Sequence, residues 1–119
     1  MRLPADFRPT HPTAGLLGYP AVDLFARAGQ PVFADFYGKV RRISGRSACS
    51  GGVPGGAYGR SVYLLNEQAK RERYVTHLCC LALEVGDAVR PGTFIGTVAV
   101  PPAGSPAGSA HVHLGMRRW

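Results

Sequence analysis

Acidic residues are scarce in this 119-residue chain: seven Asp and Glu stand against fourteen Lys and Arg, for a net charge of +7. That balance favours an anionic partner such as a nucleic acid, an acidic membrane surface or a cell-wall polymer, with plain solubility as the bland alternative. The basic residues cluster in "KVRRISGR", "AKRERY" and Arg117-Arg118, but no nucleic-acid motif or regular aromatic interleaving accompanies them. Charged residues make up only 18% and apolar residues 45%, which excludes a charge-rich disordered chain. Three cysteines, Cys49, Cys79 and Cys80, are too few for a disulfide framework. Adjacent cysteines such as Cys79 and Cys80 rarely bridge, and the spacing is not that of a zinc knuckle or ribbon. The expectation is reduced structural thiols and synthesis in a reducing compartment. No apolar run reaches 18 residues, so no membrane-spanning helix is expected. The opening "MRLPADFRPTHPTAG" lacks the apolar region of a signal peptide, so a cytoplasmic origin is expected. A target outside the cell would then need another route, or the chain is part of something larger. No exact internal repeat is present.

Glycine and proline are abundant, at 16 and 10 residues. Many turns between short strands give such a composition. The length suits one domain able to bury about two-thirds of its unfolded surface. Residues 1–18 read as an N-terminal arm or loop, and 19–119 as a single β domain. Strands are expected at Ala21 to Ala26, on either side of a bend at Gly38, at Ser61 to Glu67, at Glu72 to Leu83, at Thr93 to Val100 and at His111 to Met116. Gly45 to Arg60 and Pro101 to Ala110 are too rich in glycine and proline to be anything but loops. A helix over Asn66 to Arg71 would be too short to matter. The pattern argues for an all-β sandwich or barrel.

The chain holds only four histidines: His11, His77, His111 and His113. In "HVH" the two rings at i and i+2 share one face of a strand, with Val112 on the other. Two imidazoles so placed can share a metal, or divide metal binding and proton transfer. In "RYVTHL" pleat parity puts Tyr74, Thr76 and Leu78 on one face and Val75 and His77 on the other. Asp23 stands in the otherwise apolar "AVDLFA", where a carboxylate is costly unless paired or metal-bound. Each signal alone has a bland reading: exposed strand histidines, a satisfied core histidine, an edge-strand aspartate.

Taken in order, Asp, a lone strand His, then His-x-His, the sequence resembles the lysostaphin-type zinc metallopeptidases, which include the LytM-like domains. The resemblance rests on "AVDLFARAGQPVFADFYGKV", "AYGRSVYLL", "YVTHL", "VGDAVRPGTFIGTV" and "HVHLGM", spanning about Tyr19 to Met116. It implies a compact antiparallel β-sandwich or barrel-sandwich hybrid with long Gly/Pro-rich loops lining a groove. It implies one Zn²⁺, with Asp23 and His113 as ligands and His77 and His111 as the catalytic pair beside the zinc-bound water. The family's remaining histidine ligand usually stands four residues before the aspartate, where this chain has Tyr19. A neutral phenol is a poor zinc ligand. His11, twelve residues before Asp23, is the remaining candidate, because the two glycines and two prolines between them could loop the chain back.

The activity so implied is a zinc endopeptidase cutting peptide bonds of bacterial peptidoglycan, in a stem or cross-bridge. The partner is peptidoglycan, with no nucleic acid and no membrane span. The lack of a signal peptide fits a phage-encoded lysin or tail component with phage structural partners. The alternative is a degenerate, non-catalytic module with a structural or wall-binding role, which Tyr19 favours. A biotinyl or lipoyl carrier domain shares the "VGDAVRPGTFIG" glycine pattern, but Lys39 and Lys70, the only lysines, lack a carrier setting.

Overall fold

The computed structural model describes residues 1–11, 20–45, 49 and 58–119. These form eight strands and no helix: β1 (Ala21–Phe25), β2 (Pro31–Phe33), β3 (Gly38–Gly45), β4 (Arg60–Asn66), β5 (Arg71–Cys79), β6 (Ala88–Val89), β7 (Phe94–Val98) and β8 (His111–Arg118). Every ladder between them is antiparallel. The main path runs β1-β8-β5-β4-β3-β6, and β2 and β7 join it through the last residues of β5. The sheet does not close on itself.

Alternation along the central strands explains the core. Val62 and Leu64 of β4, Val75 of β5, and Val112 and Leu114 of β8 point to one face and are buried. Val32, Ile95 and Val98 from the β2/β7 ladder pack into the same cluster. Each such side chain contributes about 1.5–3 kcal/mol on burial. The first residues of the chain are tied to this body. Leu3 is buried in the core, its amide bonded to the Phe33 carbonyl, and Asp6 pairs with Arg71 and Arg118.

Several local expectations change. Gly38 opens β3 instead of forming the bend, which falls at 34–37. By contrast, Glu67 to Lys70 form a polar turn, in keeping with a helix there being too short to matter: the Ala69 amide donates to Asn66 Oδ1 at 3.0 Å, and Lys70 takes a φ of 56°. β5 stops at Cys79, short of Leu83, because Cys80 turns left-handed at φ 49°. β6, two residues long, gave no sequence signal.

The cysteines also depart from expectation. Cys49 and Cys79 are joined by a disulfide, and Cys80 is a free, exposed thiol. Cys49 lies at the end of β5, where its carbonyl accepts the Val100 amide at 3.0 Å. The expected three reduced thiols, and the reducing compartment inferred from them, therefore lose their support.

Candidate metal centre

Three neighbouring strands carry the site. β8 lies between β1 and β5, and the register sets Asp23 of β1 and Thr76 of β5 directly opposite His113. Directly opposed residues share a face, so these three form a row on the side away from the core. His111, two residues earlier on β8, shares that face and opposes Phe25. The other edge of β1 receives His11. A two-way backbone bridge joins His11 and Ala21, with N–O distances of 2.9 Å in both directions. Ala21 is two residues before Asp23, so the bridge aims His11 at the same face.

The resulting contacts are close. His113 Nδ1 lies 2.7 Å from Asp23 Oδ1, and His11 Nε2 lies 3.1 Å from Asp23 Oδ2. One donor atom from each of His11, Asp23 and His113 lies within 4.8 Å of the others. His111 Nε2 is 3.8 Å from Asp23 Oδ1. Burial pushes the Asp23 carboxyl upward, but the hydrogen bonds of His113 and His11, with the nearby rings of His111 and His113, outweigh it and hold the group below 3.8.

His77 reaches the site by breaking the pleat. Strict alternation places it beside Val75 on the core face. Instead β5 bulges against β4 between the Val62–Val75 and Arg60–Leu78 pairs, and His77 adopts φ 66°. The extra residue resets the alternation. Leu78 then enters the core while His77 turns to the site face, its ring 4.7 Å from that of His111. Such a left-handed backbone costs a non-glycine residue about 1–3 kcal/mol, and it is held here by Tyr58. The Tyr58 ring stacks on His77 at 4.0 Å, and its carbonyl accepts the His77 Nδ1 hydrogen at 2.9 Å.

These bonds fix two tautomers. His77 Nδ1 faces the Tyr58 carbonyl, and His111 Nδ1 faces the Ser109 carbonyl at 2.8 Å. A carbonyl only accepts, so each Nδ1 carries hydrogen and each neutral ring keeps a lone pair on Nε2. Burial drives the His77 pKa down to about 4, further than the Tyr58 carbonyl can raise it, with His111 and His113 adding to the fall. His77 is therefore neutral at physiological pH. Burial, with the Asp23 charge, pushes the Tyr58 phenol upward.

His113 is held from its far side. Its Nε2 lies 3.0 Å from the Tyr74 hydroxyl, and Thr76 beside it accepts a hydrogen bond from Ser61 at 2.6 Å. Were a cation to replace the Nδ1 hydrogen that bonds Asp23, Tyr74 could accept Nε2–H and the Nδ1 lone pair would face a cation shared with Asp23. The donor set, two imidazoles and one carboxylate around a common point, fits zinc with a fourth position open.

The model of peptidase family M23 matches residues 18–119. The chain belongs to that family. No match was found among curated proteins. Among solved structures, an NMR structure of lysostaphin superposes with a TM-score of 0.63 at 26% identity, covering 82% of this chain and 36% of that one. The catalytic domain of the antimicrobial peptidase lysostaphin from Staphylococcus simulans gives 0.61 at 22% identity, covering 82% and 65%. A mutant catalytic domain of the prophage-encoded M23 protein EnpA from Enterococcus faecalis gives 0.62 at 20% identity, covering 96% and 78%. The chain thus spans about a third of lysostaphin and just under two-thirds of its catalytic domain.

Within this M23 fold the five residues singled out in the sequence lie together. Tyr19 lies outside the described residues, as does most of the expected Gly45 to Arg60 loop. The Pro101 to Ser109 loop runs directly into His111 and supplies its carbonyl partner. Sequence reasoning missed Tyr58 and Tyr74. Tyr74 was open to detection, since it shares a strand face with Thr76; Tyr58 follows a glycine-rich run and carried no periodic signal. Cavities of 590 and 520 Å³ lie further along the sheet around Arg41 and Leu65, and none of the four histidines lines them.

Proposed function

We propose that this M23 peptidase is a zinc-dependent endopeptidase that hydrolyses peptide bonds of bacterial peptidoglycan. The observation that carries the reading is the convergence of His11, Asp23 and His113 donor atoms within 4.8 Å, with His77 and His111 beside them. In this reading His11, Asp23 and His113 hold zinc, and His77 and His111 are the catalytic pair. Bound zinc supplies Lewis acidity, lowering the pKa of water toward about 7 and polarising the scissile carbonyl.

The remaining work falls to the chain's own groups. In the neutral ring, His111 and His77 each turn an Nε2 lone pair toward the site. One takes the proton of the attacking water at Nε2 and returns it to the leaving amine; the other takes up a proton from solvent at Nε2 and, as imidazolium, donates to the oxyanion. The Ser109 and Tyr58 carbonyls hold Nδ1 of both rings and so leave Nε2 of each turned to the site. Tyr74 keeps the His113 ring oriented. The +7 charge suits an anionic cell envelope as the place of action. The similarity to an antimicrobial peptidase supports the wall substrate, and that to a prophage-encoded protein supports a phage source, with release at lysis or carriage in a phage particle.

The test is zinc content and wall hydrolysis on the same preparations. Wild type should hold close to one zinc per chain and release new amino termini from purified peptidoglycan; His11→Ala should lose both. A wild type that takes up no zinc when supplied would sink the peptidase reading and leave a non-catalytic, wall-binding module.

A further inference from the structure

A second cluster of reactive groups lies at the end of β5, apart from the histidines. Cys49, Cys79 and Cys80 bring their three sulfurs within 4.8 Å of one another. Cys49 and Cys79 are bonded. The free Cys80 sulfur lies 3.4 Å from that of Cys79 and 3.9 Å from that of Cys49. Cys80 and Cys49 are exposed, while Cys79 is buried against Tyr58 and Ala99. A nucleophilic thiol thus stands in contact with a disulfide, with one end of that disulfide open to solvent.

We propose that the three cysteines form an internal thiol–disulfide exchange site in which Cys49 is cross-linked alternately to Cys79 and Cys80. Cys80 loses its thiol proton to solvent, and its sulfur attacks Cys49 Sγ. The Cys49–Cys80 bond forms as the Cys49–Cys79 bond breaks. The electron pair leaves on Cys79 as a thiolate, which takes up a proton. One disulfide and one thiol are present before and after, so no oxidant or reductant is consumed.

Two observations favour Cys49 as the sulfur attacked. Attack on Cys79 would join neighbouring residues, and such a bridge is strained. Cys49 is the exposed end of the bond. The two cross-links close loops that differ by a single residue, so chain entropy hardly separates them. Local packing is what remains, and a buried cysteine thiol behaves as a small apolar side chain. Cys80 takes a left-handed φ of 49°, and its sulfur lies 3.4 Å from that of its neighbour. The exchange adjoins the histidine site: Cys79 is two residues from His77 and packs on Tyr58, whose carbonyl holds the His77 ring.

The experiment is cysteine mapping on the full chain. Protein without added reductant is equilibrated at pH 8, quenched in acid, alkylated and digested, and the alkyl group is located by tandem mass spectrometry. Cys79 and Cys80 fall on one peptide, so the fragment ions distinguish them. Exchange predicts label on Cys80 in most molecules and on Cys79 in at least about one in a hundred, with Cys49 unlabelled in both. Cys80→Ser should abolish label on Cys79, and Cys79→Ser should still form a Cys49–Cys80 bond. Label on Cys80 alone in the wild type overturns the proposal. So does label on Cys79 that is always accompanied by label on Cys49, because that is simple reduction.

Discussion

The ring of Tyr74 occupies the space that a side chain on Gly115 would fill. Gly115 lies directly across from Tyr74 in the β5–β8 ladder, and a Cβ built there would run into the ring. The vacancy lets Tyr74 lie flat enough for its hydroxyl to reach His113 Nε2 at 3.0 Å. On the proposed reading Gly115 is thus a positioning residue for the candidate metal centre, two residues along the strand from His113.

Gly115→Ala should displace the Tyr74 ring and release His113. Zinc affinity should fall by about 10–100-fold, as when an outer hydrogen-bond partner of a ligand is lost. Overpacking should cost about 1–3 kcal/mol of stability. Tyr74→Phe separates the two effects: it keeps the ring, loses the hydroxyl, and should reproduce most of the affinity loss. Chelator competition gives the affinities and urea unfolding the stabilities. An unchanged zinc affinity in both variants would remove Tyr74 from the site.

The four histidines should divide into two classes. His11→Ala and His113→Ala should lose zinc under conditions that load the wild type. His77→Asn and His111→Ala should keep zinc but lower kcat/KM by about 10²–10⁴-fold, the usual worth of a positioned acid or base. Asparagine is chosen at position 77 because it tolerates the left-handed backbone. Zinc stoichiometry and wall hydrolysis, measured on the same samples, test the division. Retention of zinc by His11→Ala would transfer the third ligand elsewhere.

The grouping of these residues is partly legible in the sequence for a physical reason, whereas their division into ligands and catalytic pair is implied by the family resemblance alone. A strand's period of two puts His111 and His113 on one face, and an aspartate in an apolar strand demands a partner. Those rules need only local geometry. His77 escapes them because a bulge is a local exception that alternation cannot announce; parity alone sends this residue into the core. The Cys49–Cys79 bond escapes for a different reason: it depends on where a long glycine-rich loop returns, which no spacing rule fixes. Tyr58 is hidden in the same way. The β-rich class follows from composition and turn residues, whereas two-residue β6 is too short for any period to register.

His77 sets a pH signature in the metal-free protein. Its folded pKa of about 4 lies below the ordinary 6.5, so between these values the unfolded chain binds more protons than the folded one. Stability is then full above about 6.5 and falls as pH drops toward about 4, by up to about 3 kcal/mol. Asp23, held below 3.8, adds a second loss only at still lower pH. Urea midpoints between pH 4 and 7 should slope upward in the wild type and flatten in His77→Asn. Equal slopes in the two proteins would show that some other group titrates in this window.

The disulfide should matter for stability and hardly at all for zinc. Cys49 and Cys79 are 30 residues apart, and cross-linking a loop of that length restricts the unfolded chain by about 3–4 kcal/mol. Reduction, or Cys49→Ser, should lower the unfolding free energy by an amount of that order. Zinc stoichiometry should hold, because none of His11, Asp23 and His113 depends on the Cys49 loop: their positions come from the β1–β8 ladder and the His11–Ala21 bridge. The loop's link to the site runs through Tyr58, so the cost in function should appear in turnover rather than in metal binding. Urea unfolding and zinc titration with and without reductant separate the two effects. Zinc lost on reduction would mean that the loop helps to hold the metal centre together.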